Sequence, residues 1–491
     1  MLKRSFVALL ALILLLAAAV TINTLRQGSR QIDVAPARPL AIDEKAVADK
    51  LAGAVRFQTV SSREDPEANA AEFLKLHDYL RERFPLVHSK LKLETVGKYS
   101  LVYTWPGTDA SAKPILLMAH QDVVPISPGT EKLWHAQPFA GEIRDGYIWG
   151  RGSWDDKSRL IAQLEAVEML LAQGFQPRQT VVLAFGHDEE VGGTHGAIAI
   201  AKLFEERKMR FDFVLDEGSP IAEGIIAGIE KPVAVIGLAE KGYATVKLKA
   251  SAVPGHSSLP PAPGKSAIGE LATALHRIDT EQRPAFISGV AREMFKTLAP
   301  EFGGFQRVAL SNLWLFQSLA LPQLSKSAST NALLRTTTAL TVVQAGNKEN
   351  VLPGIAEATV NFRILPGETA QGTLEHVKGK LESGVQATLE PGWVDPSPVS
   401  SSDSPAFNTI ARTLRAEFPG IIVTPGLVLA GTDSTHYTAV ADNVYRFAPI
   451  RVKPQDIARL HGIDERISIA NLAEHVRFYH LLLTNLNTPA P

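Results

Sequence analysis

Histidines and acids able to hold a metal ion recur just after short apolar runs. His120-Gln121-Asp122 follows residues 115–119, Asp188-Glu189-Glu190 follows 181–185, and Asp216-Glu217 follows 213–215. Each run is too short for a helix and reads as a buried strand. Ligands of open α/β sheets gather beyond the carboxyl ends of the strands, so three such strands would bring imidazole and carboxylate to one edge. In extended backbone, residues i and i+2 point the same way. Asp122 can therefore support the His120 ring and fix its tautomer, leaving the other nitrogen for a metal. The neighbouring carboxylates of Glu189 and Glu190 repel unless a cation or a proton relieves them. With Glu190 on a metal, Glu189 can face the activated water as general base; without one, the pair is a solvated acidic loop. Asp216 and Glu217 repeat the pattern, one as ligand and the other behind it.

Two loops add to this set. In Gly150-Arg151-Gly152-Ser153-Trp154-Asp155-Asp156-Lys157, glycines ahead of acids permit a tight turn that brings a carboxylate into a confined site. The same residues also read as a helix start, where Asp155 or Asp156 caps the free amides. Both can hold, with Asp155 on a metal and Asp156 near the helix. His461-Gly462-Ile463-Asp464-Glu465-Arg466 is either a cap or the source of the further imidazole that a second ion needs.

The elements that must position these residues follow from periodicity. From Asp156 onward, Leu160, Leu164, Val167 and Leu171 share one helical face, and Gly174 ends the pattern. Strands alternating with helices predict an α/β fold with a mostly parallel sheet. At 491 residues the chain suits two or three domains. A net charge of −1 provides no basic field for nucleic acid, and none is expected as a partner. The absence of cysteine excludes disulfides, thiolate-bound zinc and a thiol nucleophile. Any metal must sit on His and carboxylates.

Lys3 and Arg4 precede an apolar run over 6–20, with Ile22 beyond it and Arg26 closing it. A basic flank before such a run marks a targeting or anchoring segment over 1–23, its basic end cytoplasmic. The run is at the short end of the ~17–25 residues a spanning helix needs, and Ala17-Ala18-Ala19 would suit a signal peptidase. Membrane-anchored or secreted/periplasmic, the bulk of the chain is expected outside the cytoplasm. Residues 24–42, with Pro36 and Pro39, read as a linker.

Taken in order, these motifs resemble the aminoacylase-1/carboxypeptidase G family of co-catalytic zinc hydrolases, over nearly all the chain after residue 43. Ser311-Asn312-Leu313-Trp314-Leu315-Phe316, Leu334-Arg335-Thr336-Thr337-Thr338-Ala339 and Tyr445-Arg446-Phe447 are similar to the branch holding carboxypeptidase S and N-fatty-acyl-amino-acid synthase/hydrolase. The resemblance implies a zinc-exopeptidase-like catalytic domain in two parts, 43–242 and 396–491, with helices on both faces of the sheet. Between them, 243–395 would form an inserted α+β, ferredoxin-like lid through which relatives form homodimers. It further implies two Zn²⁺ per subunit, bridged by Asp155. His120 with Asp216 or Glu217 would complete one ion, Asp216 being slightly preferred at the expected strand end, and Glu190 with His461 the other. Glu189 would be the base, Asp122 would orient His120, and the Asp155–Asp156 peptide would be cis. His256 would steady the oxyanion, often across a dimer interface, while Asn350 and Arg363 would hold the substrate carboxylate; a guanidinium suits that task by donating two parallel hydrogen bonds. Gly431-Thr432-Asp433-Ser434 would be a loop near the substrate.

The expected activity is cleavage, or reversible formation, of the amide bond in N-acyl amino acids or short peptides. A strict peptide carboxypeptidase is the alternative within enzymes, and a catalytically silent binding protein on the same fold the alternative outside them.

Overall fold

The structure, a computed structural model, describes residues 2–487. Met1 and residues 488–491, the outer ends of the expected leader and of the second catalytic part, lie outside the described residues. Helix α1 spans Leu2–Arg26. The strands β1 (Lys92–Val96), β2 (Ser100–Trp105) and β3 (Ile115–His120) precede helix α2 (Lys157–Ala172). Strand β4 (Val181–Gly186), helix α3 (Ala197–Glu206), β5 (Phe211–Ala222) and β6 (Val233–Glu240) continue the alternation. Next come β7 (Gly242–Ser251), α4 (Ala267–Thr280), α5 (Gly304–Ser311), α6 (Leu313–Leu324), β8 (Thr337–Ala345), β9 (Ile355–Ile364), α7 (Ala370–Lys378) and β10 (Val385–Leu389). The chain closes with β11 (Ile422–Val428), β12 (Ala441–Val452) and α8 (Ile469–Asn485).

Two compact units result. The larger holds residues 29–238, 400–426 and 432–491; the smaller holds 1–28, 239–399 and 427–431. An eight-stranded sheet in the order β1-β2-β4-β3-β5-β12-β6-β11 organises the larger one. Its four inner strands, β4, β3, β5 and β12, are parallel, and the strands that flank them, β2 and β6, run antiparallel to their neighbours β4 and β12. Every residue of β3 and β4 is buried, as expected of apolar runs covered on both faces. Leu116, Met118, Val182 and Ala184 pack with Ala197, Ile200 and Phe204 of α3 in one cluster. Helix α2 packs against α8 and is buried almost all round, including Leu160, Leu164 and Val167. Gly174 follows it with φ +71°, the left-handed turn that the sequence anticipates.

Residues 29–43 contain no helix or strand, yet they are tied down along their length. Gln31 Nε2 donates to Val423 O at 3.0 Å, Arg415 Nε to Ile32 O at 2.8 Å, and Ala37 N to Ala416 O at 2.9 Å.

The smaller unit is built on a four-stranded antiparallel sheet ordered β8-β9-β7-β10. Burial along β7 alternates, so one face is covered and the other is not. Val246, Leu248, Val360 and Phe362 meet Leu271 of α4 and Leu374 of α7 on the covered face.

Candidate active site

His120 ends β3 and is buried. Its Nδ1 lies 3.0 Å from Asp122 O and 3.3 Å from Asp122 Oδ1, which leaves Nε2 aimed away from the chain's own turn. Asp122 does more than support the ring. Its Oδ1 accepts from Glu189 N at 3.2 Å, and its Oδ2 accepts from Glu190 N at 3.1 Å and Ser61 Oγ at 2.6 Å. One buried carboxylate thus fixes both the histidine and the two-glutamate turn. Burial alone would raise the Asp122 pKa, but the hydrogen bond and charge of His120 hold it below the usual range.

The Asp155–Asp156 peptide is cis. Asp155 directs Oδ1 to His120 Nε2 and Oδ2 to His461 Nε2, each at 3.0 Å. Asp156 occupies the residue before α2 but makes no side-chain capping bond. The helix-cap reading of that acid is therefore corrected: its Oδ2 accepts from His120 N at 3.1 Å and lies 3.3 Å from Arg159 Nη1. Burial, set against the Arg159 charge, pushes Asp156 up to about 7.

Two residues of the quoted motifs prove to have positioning roles that the motifs did not announce. Glu465 is fully buried and accepts from Trp154 N at 2.9 Å and Asp155 N at 3.1 Å. Arg151 meets Glu465 Oε2 at 2.5 Å and donates to the carbonyls of His461 and Gly462, both at 3.1 Å. His461 itself has φ +56°, and a Cβ on Gly462 would stand 2.0 Å from Ala458 O, so the turn needs glycine there. Opposite charges inside two glycine-bearing loops were the available signal.

Glu217 reaches the site through a bulge. Strand β5 does not stop at Leu215 as expected but runs on to Ala222 beside β12. The register passes from Arg446↔Asp216 to Phe447↔Ser219, so Glu217 and Gly218 are extra on β5. Gly218, at φ +155°, passes so close to Arg446 that a Cβ would stand 2.6 Å from the Arg446 Cβ. The two acids diverge. Glu217 Oε1 lies 3.7 Å from His120 Nε2, whereas Asp216 Oδ2 accepts from Ser434 N at 2.9 Å. The slight preference for Asp216 is not the one this geometry favours.

Ligand-type atoms of His120, Asp155 and Glu190 fall within 4.8 Å of one another, as do those of His120, Glu189 and Glu217. His461 Nε2 lies 3.3 Å from Glu190 Oε1. Burial, then the charge of Glu217, drives Glu189 well above the carboxylate range, and burial does the same to Glu217 and raises Glu190. Asp155 goes the other way: burial opposes it, but His120 and His461 hold it down. Hydrogen bonds that the protonated His461 donates to Asp155 and Glu190 raise its pKa to about 10. Crowded buried acids of this kind are relieved by a divalent cation, and oxygen and imidazole donors suit Zn²⁺ among others. These residues form a metal-binding cluster by their chemistry.

Asp433 stands behind the acidic turn. A Cβ on Gly193 or Gly186 would lie 2.4 Å or 2.7 Å from its carboxylate oxygens, so both glycines make room for it. Burial, then Asp216, raises its pKa well above normal. The expected substrate loop thus has a buried acid at its centre.

In the smaller unit, Gly255 and His256 pair with Leu352 and Val351, and Ser257 N donates to Asn350 O at 3.1 Å. His256 and Asn350 are thereby neighbours, and His256 is exposed, with Nδ1 2.8 Å from Ser258 Oγ. Arg363 lies near the far end of β9, its guanidinium 5.1 Å from the centre of the Tyr243 ring.

Comparison with known proteins agrees with this geometry. The sequence is 42% identical over 475 residues to probable carboxypeptidase S-like 2 of Dictyostelium discoideum, covering 94% of this chain and 91% of the relative. It is 40% identical over 452 residues to N-fatty-acyl-amino acid synthase/hydrolase PM20D1 of Homo sapiens, covering 90% and 88%. In fold it is similar to an M20 family metallo-carboxypeptidase from Sulfolobus solfataricus, with a TM-score of 0.64 at 18% identity over 91% of this chain and all of the other. The profile of peptidase family M20/M25/M40 matches residues 116–485, a stretch that includes every residue of the metal-binding cluster. A partly enclosed set of acids with one buried and one exposed imidazole, at the ends of parallel strands and in the loops beside them, in a sequence of this descent, is that of a metallohydrolase: the chain belongs to peptidase family M20/M25/M40.

Proposed function

We propose that the protein is a dizinc hydrolase of N-acyl amino acids, acting on the amide bond and able to run in reverse. The observation that carries this reading is the Asp155 carboxylate, whose two oxygens face two different imidazoles at 3.0 Å each. A carboxylate so placed would bridge two ions, one with His120 and Glu217, the other with Glu190 and His461. When bound, such ions polarise an amide carbonyl and lower the pKa of water from about 15.7 towards 7.

Glu189 takes the proton of the attacking water and later gives it to the leaving amine, so that the C–N bond breaks into a carboxylic acid and a free amine. Asp122, through Glu189 N, holds the base in line. His256 would steady the developing oxyanion, and Asn350 and Arg363 the free carboxylate of the amino acid. Helix α1, 25 residues long and wholly unburied over its apolar stretch, supports an anchor or a leader that places the catalytic part outside the cytoplasm.

The test is a hydrolysis screen after chelation and zinc return. N-acyl amino acids of graded chain length and dipeptides should all be inert to the chelated protein, and added zinc should restore cleavage of the long-chain acyl substrates first. Cleavage of peptides alone would establish a strict carboxypeptidase instead.

A further inference from the structure

The last turn of α1 is knotted to the junction of α5 and α6. Asn23 Nδ2 donates to Ser311 O at 2.8 Å and Asn312 Oδ1 at 2.9 Å, while Asn312 Nδ2 donates to Thr24 Oγ1 at 2.8 Å. Gln27 Nε2 adds a second bond to Ser311 O at 2.8 Å. Thr24, Ser311 and Asn312 are all buried, so this is a made joint and not a passing contact.

From that joint α6 departs as Leu-Trp-Leu-Phe-Gln-Ser-Leu-Ala-Leu-Pro-Gln-Leu, eight of its twelve residues apolar and none of them buried. Residues 308–325 contain no charged side chain and are bracketed by Arg307 and Lys326. Phe305 of α5 meets Phe316 edge to face at 5.7 Å. Trp314, Leu319 and Phe305 are each about two-thirds exposed, at 64%, 65% and 69%. An uncharged, mostly apolar helix with no buried residue, on a water-soluble surface, marks something that covers it.

We propose that a lipid bilayer covers it: α6 is an interfacial helix lying on the membrane that α1 enters. The inference rests on reading α1 as a retained anchor. Continuity selects lipid over a second copy of the chain. The residues that grip the last turn of α1 directly precede α6, so with α1 in the bilayer α6 starts at its surface. The composition fits that depth. The helix is apolar on every side, so Trp314 and Phe316 suit the headgroup boundary, the leucines the acyl edge, and Arg307 and Lys326, at its two ends, anionic headgroups.

The chain has no cysteine, so single labels can be placed at will. Leu319→Cys, Trp314→Cys, Leu9→Cys and Lys378→Cys would each carry an environment-sensitive fluorophore in full-length protein. The proteins are reconstituted in phosphatidylcholine/phosphatidylglycerol vesicles with or without doxyl-labelled lipid. Quenching at 319 and 314 within about twofold of that at 9, with none at 378, is expected. Quenching at 9 with none at 319 and 314 overturns the proposal while sparing the anchor. A blue shift at 319 that doxyl lipid does not quench means a protein partner and also overturns it. Loss of the label at 9 by cleavage, with 319 still quenched, defeats the anchor reading and leaves the interfacial helix standing.

Discussion

Arg151 and Glu465 lie 2.5 Å apart with almost no exposure to solvent, and this pair holds both loops that present Asp155 and His461. Glu465 takes the amides ahead of and at Asp155, and Arg151 takes the carbonyls of His461 and Gly462. Burial raises the Glu465 pKa while the Arg151 charge opposes it. Removing one partner of a buried pair costs about 3–5 kcal/mol because the other charge is left alone.

Glu465→Gln should therefore lower the unfolding free energy by a few kcal/mol and weaken zinc binding by about 10–100-fold, the usual cost of losing a group that orients ligands. Competitive metal titration of the folded variant checks it. Unchanged zinc affinity would mean that the loops hold their positions without the pair.

Gly218→Ala should remove the bulge that delivers Glu217. The added Cβ meets Arg446, and φ +155° is unfavourable for any side chain. The variant is expected to bind one metal ion where the parent is expected to bind two, at a stability cost of about 1–3 kcal/mol. Elemental analysis of desalted protein gives the count, and two retained ions would contradict Glu217 as a ligand.

His475 gives a pH dependence. Burial, then the Arg159 charge, lowers it to about 3, with the Pro449 carbonyl opposing. The unfolded chain titrates near 6.5, so between pH 6.5 and 3 the unfolded state binds the extra proton and stability falls as pH falls. His475→Leu removes that term, and its acid unfolding midpoint, followed by circular dichroism, should move to lower pH. A midpoint that stays or rises would show that the imidazole does not drive acid loss.

The homodimer that the resemblance implies would share its site between subunits. Asn350 and His256 stand at the start of β9, and Arg363 stands near its end. The eight residue steps from 355 to 363 span ~27 Å of strand. A single short substrate cannot touch both on one chain. Inactive His256→Ala and Glu189→Gln chains, co-expressed, should regain hydrolysis because each mixed dimer holds one intact site. Failure of the mixture to exceed either variant alone would end the shared-site reading.

Much of the site was legible because its strands are uninterrupted apolar runs followed at once by His or acid, as at His120 and Glu189-Glu190. Glu217 was ambiguous for a physical reason. The bulge that turns it inward arises from the pairing of β5 with β12, more than 200 residues away, as the pair Arg446↔Asp216 shows. With Leu215 taken as a strand end, alternation offered no reason to prefer Glu217. Asp156 looked like a cap because its partner, the amide of His120, belongs to another element. Arg151 and Glu465 are opposite charges in two glycine-bearing loops, but nothing local pairs them; only the fold brings them together and buries them.

The most direct test of the central claim is Glu189→Gln, with metal content and amide hydrolysis measured on the same preparation. Two zinc ions should remain per chain while turnover drops by about 10²–10⁴-fold, the range for losing a general base. A fully loaded variant that cleaves substrate at the parent rate would contradict the account.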